Sequence, residues 1–235
     1  MIKAILFDLD GTLLPMDIDV FAAAYLGGLV KCAVGAGFDK DRVKVGILKG
    51  TQAMVKNDGS ATNEQIFWRA LASSVGDEIY EKQSVFDSFY KTDFQKIKEL
   101  CGTLAEAREI IALVKRRGLR AVLATNPLFP AVATESRIRW AGLSPEDFAF
   151  FTSYENSHYC KPNPDYYREV LNRLGLSPDE CVMIGNDAEE DMIAGTLGIK
   201  TFLLTNDLIN RKAVDINQYP HGGTGELMRF LQEIT

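Results

Sequence analysis

The stretch ILFDLDGT, residues 5–12, ends an apolar run with two carboxylates. The run over residues 3–7 is too short for a helix and is typical of a strand buried on both faces of a parallel sheet. Asp8 and Asp10 follow it directly, and a glycine and a threonine come next. An Asp before Gly is most often a turn residue, so the interpretation depends on the residues at the ends of the other strands.

The composition is that of a soluble globular protein. The 235 residues are 46% hydrophobic and 25% charged, and the formal net charge is −6. This length fits one large domain, or a domain with a smaller partner. An acidic chain does not attract nucleic acid or an anionic membrane by its overall field, so we expect neither as a partner. An anionic substrate would need local positive charge.

The sequence also predicts a cytoplasmic location. Asp8 interrupts the N-terminal apolar run, so we expect no signal peptide, and the apolar stretch 20–30 is too short to span a bilayer. None of the four cysteines forms a C-x-x-C pair, and we expect reduced thiols. The two histidines, far apart in sequence, are interpreted as surface or loop residues rather than zinc ligands.

Two patterns divide the chain. Between residues 16 and 101 apolar positions recur at helical spacing without a convincing strand, which predicts an all-α insert. After residue 101 strands alternate with helices, which is typical of parallel strands joined by right-handed crossovers. We therefore predict an α/β protein: a Rossmann-like parallel-sheet core with helices on both faces (residues 1–15 and 102–235), and an inserted all-α domain (residues 16–101).

Local signals predict where individual elements lie. After the first strand we expect strands over residues 121–124, 148–151, 181–184 and 201–204. Capping residues predict helix starts at Thr62, Thr103 and Asn163, and a helix over residues 191–197.

Polar side chains follow each of the first four predicted strands. They are Asp8 and Asp10 after the first strand, Thr125 and Asn126 after the second, Lys161 in the loop after the third, and Asn186, Asp187 and Asp191 after the fourth. In open parallel sheets, ligands bind beyond the carboxyl ends of the strands. Each residue alone has an ordinary explanation, but their joint position at one sheet edge predicts a functional site.

In order and spacing, these residues resemble the four motifs of the haloacid dehalogenase-like hydrolases. The first motif, D-x-D-G-T after an apolar strand, is quite specific. Thr125 and Lys161 are weak signals alone and support the resemblance only through their order and spacing. The match covers the whole α/β part, and the helical insert is similar to the mobile C1-type cap of that family. One departure concerns the fourth motif, where members often have Gly-Asp and this chain has Gly185-Asn186. Either Asp187 or Asn186 therefore stands for the first acid.

The resemblance implies a phosphatase that uses both carboxylates of the first motif. Asp8 would be the nucleophile that forms an aspartyl-phosphate, and Asp10 would be the general acid and base. An acid at position 10 favours phosphatase or phosphomutase over dehalogenase or transport ATPase. Two nearby carboxylates split their pKa values, which suits these opposite protonation states.

The remaining residues would bind phosphate and metal. Thr125, Lys161 and backbone N–H groups near Leu9, Gly11 and Asn126 would contact the phosphate oxygens. Mg²⁺ is the expected cofactor. Its expected ligands are Asp8, the Asp10 backbone carbonyl and Asp187, with Asn186 as the alternative ligand and Asp191 as a supporting acid. Asp187 is preferred over Asn186 because a divalent cation favours a charged oxygen.

The sequence leaves three functions open. The first is a Mg²⁺-dependent phosphomonoester hydrolase acting on a small phosphorylated metabolite, of the sugar phosphate or nucleotide class. The second is a phosphomutase on the same site, and the third is a non-catalytic phosphometabolite-binding protein. The insert would select the substrate, with Thr51 as a candidate and the nearby lysines Lys49 and Lys56 interpreted as solvated. Oligomeric state is not readable from the sequence.

Overall fold

A five-stranded parallel sheet organises the molecule. The computed structural model describes residues 1–234, and the strand order is β2-β1-β3-β4-β5. The strands are β1 (Ala4–Phe7), β2 (Arg120–Leu123), β3 (Cys181–Gly185), β4 (Lys200–Leu204) and β5 (His221–Gly222). β1 lies between β2 and β3 in parallel register, so the chain after all three strands emerges at the same edge of the sheet.

Nine α-helices accompany the sheet in the described residues. They are α1 (Ile18–Gly35), α2 (Lys40–Val55), α3 (Asn63–Val75), α4 (Gln83–Lys91), α5 (Asp93–Lys96), α6 (Ala107–Arg116), α7 (Ala131–Trp140), α8 (Pro164–Leu174) and α9 (Thr224–Glu233). Short 3₁₀ segments, including 77–82 and 97–100, link several of them.

Helices cover both faces of the sheet. Successive side chains of a strand point to opposite faces. Ile5 and Phe7 of β1 therefore pack in one buried cluster with apolar residues of α6 and α9, whereas Ala4 and Leu6 pack in another with residues of α8. The prediction of an α/β core with a parallel sheet and helices on both faces is confirmed.

All regular elements between Ile18 and Leu100 are helical. The chain enters and leaves this segment at one place: Met16 and Cys101 form an antiparallel bridge, and the Gly102 N–H donates to the Pro15 carbonyl at 2.7 Å. This pairing supports the predicted boundaries at residues 15/16 and 101/102, although the division into two domains remains a prediction. As predicted, Thr62 caps α3, and its side chain accepts from the N–H of Gln65.

By length and composition, α1 is the one helix of residues 1–234 that could cross a membrane. It has 18 residues with a mean hydropathy of 1.5, and 22% of them are buried. It also carries Asp19 and Lys31, and it packs Phe21 and Leu29 into the buried cluster. Core helices of soluble proteins can reach the same length and hydropathy, so α1 alone is weak evidence for a membrane span.

Two local predictions were wrong. Residues 148–151 form no regular strand. The segment bonds to β2 through the Ala149 N–H and the Phe150 carbonyl, but only Phe151 forms a bridge. A 3₁₀ turn precedes the segment, and the Tyr154 N–H then donates to the Phe129 carbonyl as the chain turns away. Thr103 does not start a helix, since residues 104–107 form a turn and α6 begins only at Ala107. The predicted helix over residues 191–197 is present as a 3₁₀ helix over residues 192–197.

Candidate active site

The chain after β1, β2 and β3 surrounds a pocket of about 190 Å³, which we call the catalytic pocket. The predicted residues that line it are Asp8, Asp10, Thr125, Asn126, Asn186, Asp187 and Asp191. They meet because parallel strands end at the same edge, although up to 183 residues of sequence separate them. Leu9 and Gly11 are buried and do not line the pocket.

Lys161 joins two of these carboxylates from a buried position. Its Nζ donates to Asp8 Oδ1 at 3.0 Å and to Asp191 Oδ1 at 2.6 Å, and the residue is 1% exposed. Burial lowers the pKa of Lys161, but the charges of Asp191 and Asp8 raise it well above its ordinary value. Lys161 is therefore a fixed positive charge directly behind Asp8, in a protein that is acidic overall.

Asp191 is a supporting group as well as an ion-pair partner. Its Oδ2 accepts the Asp187 backbone N–H at 3.0 Å, so both of its oxygens are bonded. Burial raises the pKa of Asp191, against the opposing charge of Lys161. The carboxylate thus fixes both the ammonium of Lys161 and the backbone of the fourth motif.

Asp10 has a partner that sequence reasoning missed. Arg137 of α7 is fully buried, forms an ion pair with Asp10 Oδ2, and lies 4.1 Å from the centroid of the Phe129 ring. Burial raises the pKa of Asp10 to about 6, while the charge of Arg137 opposes the rise. No local pattern separates Arg137 from the exposed Arg139 two residues later, so the sequence held no signal for this pair.

Glu190 is a second acid that the sequence analysis did not single out. It lines the catalytic pocket, and its Oε2 accepts the Asn126 Nδ2 amide at 2.8 Å. Burial raises the pKa of Glu190 to about 7, against the charge of Lys161. In the sequence, the one signal for Glu190 was its position between Asp187 and Asp191, which were already predicted to belong to the site.

The loop after β1 is held in a tight turn. Gly11 has φ +83°, and a Cβ on it would lie 2.2 Å from Asn186 Nδ2. The Gly11 N–H donates to the Leu14 carbonyl at 2.8 Å, so this N–H is not free to bind a phosphate as expected. Thr12 Oγ1 lies 3.0 Å from Asn186 Oδ1 and 3.3 Å from Asp8 Oδ2, which ties the loop to the fourth motif.

Asn186 and Asp187 differ in their surroundings. The Asn186 amide donates to the Asp207 carbonyl at 2.6 Å, and its oxygen faces Thr12. Asp187 Oδ1 accepts the backbone N–H groups of Glu189 and Glu190 at 2.7 and 2.9 Å. Both residues line the catalytic pocket, so either could supply an oxygen to a cation there.

The oxygen atoms of the pocket fit a hard divalent cation. No three His, Cys, Asp or Glu side chains of residues 1–234 are grouped as a ready metal site. Asp8, Asn186 and Asp187, however, carry side-chain oxygens and line the same pocket. Mg²⁺ prefers oxygen ligands and keeps several waters, so one or two carboxylates are enough to hold it.

The family of the protein is established by a match that covers most of the chain. The model of the haloacid dehalogenase-like hydrolases matches residues 2–198, a span that contains every motif residue from Asp8 to Asp191. The chain belongs to this family, and the protein is a hydrolase.

The chain is similar to particular phosphatases over most of its length. It is 26% identical to the glyceraldehyde 3-phosphate phosphatase of Methanopyrus kandleri, over 100% of this chain and 99% of the relative. It is 25% identical to the phosphoglycolate phosphatase of Vibrio vulnificus, over 87% of this chain and 84% of the relative. The crystal structure of a predicted phosphoglycolate phosphatase from Haemophilus somnus shares its fold, with a TM-score of 0.60, 15% identity and 97% of both chains covered.

Proposed function

We propose that this hydrolase is a Mg²⁺-dependent phosphomonoesterase that acts on small phosphorylated metabolites through an aspartyl-phosphate on Asp8. The observation that supports this most is the buried Lys161, which contacts Asp8 at 3.0 Å. It supplies local positive charge beside the expected nucleophile, which a phosphate requires in a protein of net charge −6. The phosphatases among the similar proteins support the same reaction class.

Asp8 is the nucleophile in this proposal. One oxygen of its carboxylate attacks phosphorus, a new P–O bond forms, and the bond to the leaving alcohol oxygen breaks. Lys161 holds Asp8 in position through the 3.0 Å contact between its Nζ and Asp8 Oδ1. In the second step water attacks phosphorus, the bond to Asp8 breaks, and inorganic phosphate leaves.

Asp10 moves the proton in both steps. Its protonated carboxyl gives a proton to the leaving alkoxide, and the resulting carboxylate then takes one from the attacking water. A pKa of about 6 allows both forms near neutral pH. The ion pair with Arg137 holds the side chain and stabilises its ionised form after the proton has left.

Thr125 and Asn126 are the proposed phosphate contacts at the end of β2. Both line the catalytic pocket, where the Thr125 hydroxyl is a possible donor to a phosphate oxygen. The backbone N–H groups near Leu9 and Asn126 remain proposed donors. The Gly11 N–H is dropped from this set because Leu14 already binds it.

Mg²⁺ would be held by Asp8, the backbone carbonyl of Asp10, and Asp187 or Asn186. When bound, it would neutralise the repulsion between the Asp8 carboxylate and the phosphate. We further propose that the substrate is a small phosphorylated metabolite met in the cytoplasm, and that nucleic acid and membranes are not partners.

The test is phosphate release from a panel of phosphate esters, with Mg²⁺ and with EDTA, by the wild type, Asp8→Asn and the matched control Asp77→Asn. Asp77 is an exposed carboxylate of the helical insert. We expect Mg²⁺-dependent release by the wild type and the control, and essentially none by Asp8→Asn, because the amide is not nucleophilic. Full activity of Asp8→Asn, or turnover in EDTA, would contradict the proposal. Isotopic oxygen from water should enter the released phosphate, and its absence would favour a phosphomutase.

A further inference from the structure

A second and larger cavity adjoins the catalytic pocket. It has a volume of about 440 Å³ and lies between α1, α2, α3 and α4 on one side and segments 128–132 and 154–155 on the other. We call it the cap cavity. Leu128 lines both the cap cavity and the catalytic pocket, so the two cavities are neighbours.

Six aromatic side chains line the cap cavity. They are Tyr25, Phe67, Trp68, Phe86, Tyr90 and Tyr154. Edge-to-face packing holds several of them in place: the ring centroids of Trp68 and Phe86 are 5.5 Å apart at 77°, and those of Phe67 and Trp68 are 5.7 Å apart at 83°. The faces of such rings carry negative potential and attract cations, with Trp the strongest.

The charged side chains of the cap cavity are all acidic. Glu64, Asp87 and Glu155 line it, and no Lys, Arg or His does so in residues 1–234. None of the three carboxylates forms an ion pair within that part of the chain. Glu155 accepts only the backbone N–H of Ala131, at 2.9 and 3.0 Å. The cavity therefore has negative charge and aromatic rings in its wall, without a cation in the wall to balance them.

Two of these carboxylates lie close enough to influence one another. Glu64 is half-buried, and burial, followed by the negative charge of Glu155, raises its pKa above the ordinary value. A cation placed between them would relieve this repulsion. The N–H of Glu64 donates to the Tyr154 carbonyl at 2.8 Å, which fixes the first turn of α3 against the segment that carries Glu155.

The same features disfavour an anionic leaving group. A carboxylate that entered the cap cavity, such as that of phosphoglycolate, the substrate named for one similar protein, would meet Glu64 and Glu155, and the cation Arg211 lines only the catalytic pocket. These carboxylates would repel another negative charge in the cavity, and the negative potential over the aromatic rings would add to the repulsion. The chemistry of the wall suits a positively charged group instead.

We propose that the cap cavity binds the ammonium or quaternary ammonium group of a phosphorylated amino alcohol, whose phosphate lies in the catalytic pocket. This inference rests on the proposed function, since it names the substrate class of that phosphatase. The aromatic rings and Glu64 and Glu155 recognise the cation, and Leu128 lies where the two ends of the substrate join.

The test compares kcat/KM for phosphocholine with that for its neutral carbon isostere, in which a quaternary carbon replaces the nitrogen. The two esters differ in charge and hardly in shape. We expect the wild type to prefer phosphocholine by about tenfold or more, because cation–π and carboxylate attraction act only on the charged ester. Phosphoglycolate should be the poorest ester of the set. In Glu64→Gln the preference should fall several-fold, whereas the matched control Glu81→Gln, an exposed carboxylate that does not line the cavity, should keep it.

The ratio of kcat/KM for the two esters separates recognition of charge from damage to the fold. Damage to the fold would lower kcat/KM for both esters alike. Turnover of p-nitrophenyl phosphate without a preference for phosphocholine would overturn the inference and leave the proposed function standing. Binding of free choline gives a readout that needs no turnover. Tryptophan fluorescence in a Trp140→Phe background reports on Trp68, and the neutral carbon isostere of choline is the comparison. Glu64-dependent choline binding without hydrolysis of any ester would support the cavity assignment and contradict the proposed function. Absence of choline binding would overturn the assignment.

Discussion

Lys161 is buried between two carboxylates, with its Nζ 3.0 Å from Asp8 and 2.6 Å from Asp191. Its removal would leave both buried carboxylates without this partner, and an uncompensated buried charge is costly. The residue therefore links stability and reactivity: the same ammonium that balances the folded site would also balance charge on the phosphate.

The first prediction concerns the Lys161→Met variant. It should lower the free energy of unfolding by about 3–5 kcal/mol because two buried carboxylates lose their partner. It should also lower kcat by about 10²–10³, the usual cost of removing one preorganised charge from a transition state. Denaturant unfolding and phosphate release measure the two effects. Lys200→Met, at an exposed position of β4, serves as the control, and equal behaviour of both variants would count against the assignment.

Gly11 shows how one backbone position fixes the loop after β1. Its φ of +83° and the 2.2 Å approach of an added Cβ to Asn186 leave no room for a side chain. Gly11→Ala should therefore destabilise the fold by about 1–3 kcal/mol, through strain at a positive φ and displacement of Asn186. Gly225→Ala in α9, where an added Cβ meets nothing within 4 Å, should be neutral or stabilising. Thermal unfolding of the two variants checks this, and a neutral Gly11→Ala would refute the steric explanation.

At the scale of elements, α3 is bonded to the α/β part through a buried polar residue. Asn63 is fully buried, accepts from Asn57 Nδ2 at 2.8 Å, and donates to the Pro127 and Tyr159 carbonyls at 3.3 Å. Its backbone N–H also donates to the Ser157 carbonyl at 2.9 Å. These bonds hold the helix that carries Glu64 against the loop that leads to Lys161.

Replacing this amide tests the connection. Asn63→Ala should cost about 1–3 kcal/mol of unfolding free energy, because the buried Asn57 amide and two carbonyls lose a partner. It should also increase hydrogen exchange at the start of α3, where local opening becomes easier. Asn172→Ala, an exposed amide of α8, is the control with no such effect. An unchanged stability of Asn63→Ala would mean that the contact contributes nothing to holding the insert.

Elements with strong local signals were predictable from the sequence. The apolar run of β1 and the Asn163 cap of α8 each depend on neighbouring residues, and both appear in the structure where expected. Residues 148–151 had a strand-like composition and bond to β2, but they form one bridge rather than a regular strand. The Arg137–Asp10 ion pair joins residues 127 apart, and no local pattern could reveal it.

At the scale of the molecule, one buried cluster runs from the sheet into the helical insert. It includes Ile5 and Phe7 of β1 together with Phe21 of α1 and Trp68 of α3. The insert and the residues at the strand ends could be predicted from the sequence. The insert shows in the helical periodicity of its apolar residues, and the strand-end residues show in their order along the chain. It did not reveal the cap cavity, because that wall forms only when four helices and two distant loops pack together.

A metal bound between the motifs should stabilise the whole molecule. Mg²⁺ at a hundred times its Kd should raise the unfolding free energy by about 2.7 kcal/mol, since it binds only the folded state. Calorimetric titration should then show at least about tenfold weaker Mg²⁺ binding for Asp187→Asn, and no change for the exposed control Asp77→Asn. A loss confined to Asn186→Ala would assign the ligand to Asn186 instead. Tm values that do not respond to Mg²⁺ or EDTA would speak against a metal site.

The central claim is that Asp8 becomes phosphorylated during turnover. The most direct measurement is mass spectrometry of the peptide that contains Asp8, after rapid acid quenching of the enzyme mixed with a phosphate ester and Mg²⁺. The account predicts a peptide heavier by one phosphoryl group, with the modification on Asp8 and absent from Asp8→Asn. Rapid turnover with an unmodified peptide at every quench time, or phosphate found on another residue, would contradict it.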